Sequence, residues 1–139
     1  MQHVDIPNDK AQFLRLSLPG PHKVSITVQA PSHLCQLLEI SLIGWSYDII
    51  PFSEKSDIIV TQSKRYCIES RTRHDLKSYS DLISTINLIL NEISFIVSSE
   101  ITGSTLIHCA AVKSSSGAIL IFGDHKSGKS IYCAERSLD

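Results

Sequence analysis

Ala118-Ile119-Leu120-Ile121-Phe122, then Gly123-Asp124-His125-Lys126-Ser127-Gly128-Lys129-Ser130, then Ile131-Tyr132-Cys133-Ala134-Glu135-Arg136, is the stretch that decides how this chain is read. The short apolar run predicts a buried strand. The segment after it matches G-x-x-x-x-G-K-[ST], the phosphate-cradling loop. The residues after Ser130 can begin a helix. Strand, loop and helix in that order are the context the motif needs. By average residue usage the bare pattern arises by chance in about one chain in two hundred of this length. The strand before it therefore carries part of the weight.

Each residue type in the loop has a physical task. Gly123 and Gly128 let the backbone turn tightly and bring its N–H groups close to phosphate oxygens. Those groups and the start of the following helix form an anion site with partial positive charge. Lys129 is expected to place its ammonium on the β- and γ-phosphates of ATP, and Ser130 to hold Mg²⁺ through its hydroxyl. Asp124, His125, Lys126 and Ser127 complete the nucleotide-binding loop. The bland alternative is a glycine-rich turn between strand and helix that binds nothing.

The pattern continues upstream. Leu106-Ile107-His108-Cys109-Ala110-Ala111-Val112, the polar turn Lys113-Ser114-Ser115-Ser116-Gly117, the apolar strand and the loop together resemble the P-loop hairpin of the HPr kinase/phosphorylase family and its relatives. The specific match covers about residues 104–136. Residues 1–103 resemble only loosely the variable N-terminal region of such proteins. The resemblance implies a phosphoenolpyruvate-carboxykinase-like kinase core. It also implies ATP- and Mg²⁺-dependent phosphorylation of a serine on a protein or peptide. Some relatives act in the maturation of ribosomally made peptides. His108 falls on the family's strand histidine, fifteen positions before Gly123, which implies a catalytic place near the phosphates. Asp124 falls on the acidic position after the first glycine. His125 and Lys126 depart from the family, which has a small residue and a glycine there. The family's catalytic aspartates would follow the next strand, beyond Asp139. The 139-residue chain by itself is therefore expected to be inactive. The alternative is a naturally short, non-catalytic module that senses nucleotide or binds a partner.

A chain of 139 residues holds one ordinary domain's worth of sequence. A net charge of −1 gives no sign of a nucleic-acid or membrane partner. Hydrophobic residues make up 42% and aromatics only 6%, so Leu, Ile and Val must fill the core. Cys35, Cys67, Cys109 and Cys133 are widely spaced and form no C-x-x-C, which argues against a zinc site. Cys109 and Cys133 read as small core hydrophobes. MQHVDIPNDK is too polar for a signal peptide. Free cysteines, no signal and an ATP loop point to the cytoplasm.

An α/β organisation follows. Residues 1–11 read as a flexible tail, 12–100 as an N-terminal α/β module and 101–139 as the opening of the kinase core. Phe13–Leu18 and Lys23–Val28 alternate apolar and polar and predict a hairpin around Pro19-Gly20-Pro21. Ser32 is a candidate N-cap, Leu34, Leu37, Leu38 and Leu42 share a helix face, and Gly44 can end that helix. Asp57–Thr61 and Arg65–Glu69 predict two further strands. From Asp75 to Ser98 the pattern is helical, with Leu82, Ile86, Ile89, Ile93 and Ile96 in one stripe, flanked by Ile83, Leu90 and Val97. Apolar residues lie almost all round this helix. That predicts burial on more than one side, or a seam between two copies along residues 79–98. Asn87, Asn91, Glu92 and Ser94 argue against a membrane span.

Two features have a bland reading as well as a functional one. His108, among Leu106, Ile107, Cys109 and Ala110, is by itself most simply a strand histidine satisfied by backbone. The basic run Lys64-Arg65 and Arg71-Thr72-Arg73-His74 reads as a solvated loop, with docking of an acidic peptide or nucleotide as the sharper alternative. Trp45 and Tyr47 are expected to cap the core.

Overall fold

A computed structural model describes residues 10–18, 22–42, 44–51, 55–103, 109–124 and 127–136, with the side chains of 74–77 and 134–136 left aside. The chain divides after Ser104 into two compact units.

The first unit is a mixed α/β domain. Strand β1 (Ala11–Ser17) pairs antiparallel with β2 (Ser25–Pro31), and β2 runs straight into helix α1 (Ser32–Ser41). Strand β3 (Ser46–Ile50) returns to the far side of β1. Strand β4 (Ile58–Gln62) then lies parallel to β2 and starts an antiparallel meander with β5 (Tyr66–Ser70) and β6 (Arg73–Tyr79). Helix α2 (Leu82–Glu100) closes the unit. The six-stranded sheet has the order β3-β1-β2-β4-β5-β6.

Register explains the core. Leu14 lies opposite Val28, Leu16 opposite Ile26, Val28 beside Ile58, and Val60 opposite Ile68. Alternation along each strand therefore puts these residues on one face. All of them are buried, in one cluster with Leu34, Cys35 and Leu38 of α1 and Leu88, Ile89, Ile93, Ile96 and Val97 of α2. The opposite face of the same strands carries residues such as Arg15, Thr61 and Glu69, which are exposed.

Several expectations need correction. β1 begins at Ala11, inside the expected tail, and residues 1–9 lie outside the described residues. Ser32 is the first helical residue rather than the cap; Pro31, extended at ψ 145°, precedes it without a side-chain hydrogen bond. The helical pattern from Asp75 overran a strand. Residues 73–79 form β6, and the helix begins only at Leu82, where the Asp81 carboxylate accepts the Ser84 N–H at 2.7 Å. That N-cap fixes the true boundary. Within α2, Ile89, Ile93, Ile96 and Val97 are buried and Leu82, Ile86 and Leu90 are partly covered, but Ile83 is 76% exposed. The helix thus buries one broad face rather than two sides. Trp45 packs against the core, whereas Tyr47 stands exposed on the edge strand β3. The β3 strand itself had no clear signal in the sequence.

Arg71 and Arg73 are not free surface cations. Arg71 forms ion pairs with Asp57 at 3.2 Å and with Glu100. Arg73 pairs with Glu92 at 3.2 Å and lies over the Phe95 ring, 4.4 Å from its centroid. Thr72 Oγ1 donates to the second Glu92 oxygen at 2.8 Å. Glu92 is only 2% exposed, so its charge needs these partners. The β5–β6 turn is thereby fastened to α2.

The second unit is small. Strands β7 (Ala110–Ser114) and β8 (Gly117–Ile121) form a hairpin, and helix α3 (Lys129–Arg136) follows. Residues 104–108, part of the expected first strand, lie outside the described residues. Among the described residues, one helix, Leu82–Glu100, is long and apolar enough to cross a membrane, and its buried face belongs to the core of the first unit.

Candidate phosphate-binding loop

The hairpin that leads into the loop turns at Ser115-Ser116, with Gly117 at φ +137°. β8 then delivers the chain to Gly123. A Cβ built on Gly123 would stand 2.7 Å from Ser127 Oγ and 3.4 Å from Ser127 Cβ. A side chain at 123 would therefore require the Ser127 hydroxyl to move aside. Ser127 N–H donates to the Asp124 carbonyl at 3.2 Å, which closes that turn. Gly128 has φ +82°, a conformation that L side chains adopt only with strain. Its carbonyl accepts the Tyr132 N–H at 2.9 Å and so starts α3. The two motif glycines therefore have different causes: one yields space, the other a left-handed backbone.

Lys129 ties the loop together. Its Nζ donates to the carbonyl oxygens of Asp124 at 2.7 Å and Gly123 at 2.8 Å, with Ser127 Oγ at 3.4 Å. The ammonium thus bridges the beginning of the loop to the first residue of the helix. The N–H groups of a first helical turn have no intrahelical acceptor and carry partial positive charge. Ser130 is exposed on that turn, as are Gly123, Asp124 and Ser127 around the loop. A closed turn, an ammonium and a helix start thus lie on one short segment.

Of the residues expected to form the site, Gly123, Asp124, Ser127 and Lys129 are brought together by direct contacts, and Ser130 follows on the helix. His108, the catalytic candidate, and His125 and Lys126 of the loop lie outside the described residues. The packing of Ser127 on Gly123 was not legible, because the motif leaves that position unspecified. Cys109 and Cys133, expected in a core, are only half-buried. Among the described residues no group of three or more His, Cys, Asp or Glu side chains is placed to hold a metal ion.

No protein-family model matches the sequence, and no curated protein and no solved structure is significantly similar to it.

Proposed function

We propose that residues 123–130 bind the phosphates of ATP with Mg²⁺, and that the chain is the nucleotide-binding portion of an HPr-kinase-like serine kinase acting on a protein or peptide in the cytoplasm. The observation that carries this reading is the Lys129 ammonium held by the carbonyls of Gly123 and Asp124 across a loop in which Ser127 packs close on Gly123 and Gly128 takes a left-handed backbone. In the bound state the backbone N–H groups of the loop and of the first turn of α3 would surround the phosphate oxygens. Lys129 would neutralise charge on the β- and γ-phosphates, and Ser130 would contribute its hydroxyl to the metal. The metal would offset charge on the transferring phosphoryl group. A base to take the proton of the acceptor hydroxyl is not assigned among the described residues.

The apolar surface of the second unit supports a place within a larger kinase core. Ile119, Leu120 and Phe122 are about half exposed, and β8 has no strand on its second edge among the described residues. Such an edge ordinarily pairs or is covered.

Thermal unfolding with and without Mg-ATP tests the binding claim. The melting temperature of the chain should rise with Mg-ATP, and Lys129→Ala should abolish the rise. An identical rise in the variant would remove the loop from the explanation.

A further inference from the structure

The outward side of α2 carries a pattern that the fold leaves unused. Ile83, Asn87, Asn91 and Phe95 stand four residues apart on one helix face, and all are exposed, Ile83 at 76% and Phe95 at 49%. Between Leu82 and Ser99 the single charged residue is Glu92, and it points inward to Thr72 and Arg73. The hydroxyls of Ser94, Ser98 and Ser99 donate to the carbonyls of Leu90, Ser94 and Ile96 of the same helix. The whole outward face is therefore neutral. A solvent-facing side of a long amphipathic helix ordinarily carries charges.

We propose that this face pairs with the same face of a second copy of the chain, antiparallel, about a two-fold axis midway between Asn87 and Asn91. The stripe reads apolar, amide, amide, apolar in either direction. An antiparallel register therefore sets Ile83 against Phe95 of the second copy and Asn87 against its Asn91, twice over. That self-complementarity is what an isologous interface requires. Each amide carries both donors and an acceptor, so the central pairs satisfy one another. Between Leu82 and Ser99 neither helix brings a charged side chain to the contact, and the antiparallel arrangement sets opposite ends of the two helix dipoles side by side. Arg73, stacked on Phe95, steadies that ring at each end of the seam. A lipid surface fits less well. Helices that lie in a membrane interface carry Lys or Arg of their own on the flanks of the apolar stripe, whereas α2 has Ser84, Ser94 and Ser98 beside it and no Lys or Arg.

Light scattering or sedimentation of the full chain at micromolar concentration reads the proposal directly. The wild-type protein should have about twice the 15.4 kDa of one chain. The double variant Asn87→Lys with Asn91→Lys brings four ammonium groups to the axis. Its dissociation constant should rise at least ~100-fold while its circular dichroism stays unchanged. Asn87→Lys with Asn91→Glu sets unlike charges opposite and should restore the dimer, now weakened by salt. A wild-type monomer, a dimer that survives the double-lysine change, or a monomer that binds neutral phosphatidylcholine vesicles through this helix would each overturn it. Nucleotide binding plays no part in these readings, so the outcome is separate from that of the Lys129→Ala test.

Discussion

The two units solve the problem of apolar surface differently. In the first, β1, β2, β4 and β5 alternate and two helices cover the apolar face, and the buried apolar residues run from Leu14 to Val97. In the second, no described residue is buried, while Ile119, Leu120, Phe122, Ile131 and Tyr132 are each about half exposed or more. The first unit is held by its interior. The loop of the second is held by local devices: a turn hydrogen bond, a left-handed glycine and a lysine reaching back over its own backbone. Local devices suffice to shape a short loop, but burial supplies most of the stability of a domain.

The sharpest way to break this contrast is to make one substitution twice. Leu38→Ala removes a side chain that is 0% exposed and should cost about 2–5 kcal/mol in urea unfolding. Leu120→Ala, the same chemistry at 48% exposure, should change stability by no more than about 0.5 kcal/mol. Equal losses would mean that the second unit has a core of its own kind. Next in size is Glu92→Ala, which strips Arg73 and Thr72 of their buried partner and should cost about 1–3 kcal/mol. Glu92→Gln keeps an acceptor for Thr72 and should cost less in the same measurement. Gly128→Ala forces a side chain to φ +82° at about 1–2 kcal/mol of local strain. Affinity for Mg-ATP should fall about tenfold, with the unfolding midpoint of the first unit unmoved. A shifted midpoint would mean the units unfold as one.

The smallest effect is an acid one. The Ser84 N–H holds the Asp81 carboxyl below the ordinary 3.8. A lowered folded-state value means that the cap contributes its full stability above the unfolded value and loses it as pH falls below 3.8 through the folded one. Asp81→Asn should therefore flatten the unfolding midpoint against pH in that acid range and leave its slope near neutrality unchanged.

How far the sequence could be read follows the same division. Period-two alternation located β1 and β2, and two short runs on either side of Gln62-Ser63-Lys64 located β4 and β5, each to within a few residues. β6 was lost to the helix after it: Leu76 and Tyr79 fall in phase with Leu82 and Ile86, and only the Asp81 cap separates the two patterns. β3, Ser46–Ile50, is an edge strand with Tyr47 and Ile49 largely uncovered, so no burial signal marks it. The arginines at 71 and 73 read as surface charge because their carboxylate partners are distant in sequence. The loop was legible as a motif, since its glycines and lysine act over a few residues. Its inner packing, Ser127 against Gly123, was not.

The join between β2 and β4 has a consequence for how the first unit assembles. β3-β1-β2 and β4-β5-β6 are each built from strands close together in the chain, yet the parallel contact between them spans only Val28 with Ile58 and Gln29 with Ile59. Asp57 prolongs it by hand: its N–H donates to the Thr27 carbonyl at 2.8 Å, and its carboxylate accepts the Thr27 N–H at 2.7 Å. Each half needs only short-range loop closure, and the seam needs both halves in place. The two halves should therefore acquire amide protection separately during refolding. Thr27 and Asp57 should be among the last amides protected, and the sheet should part along that line first when the molecule is pulled.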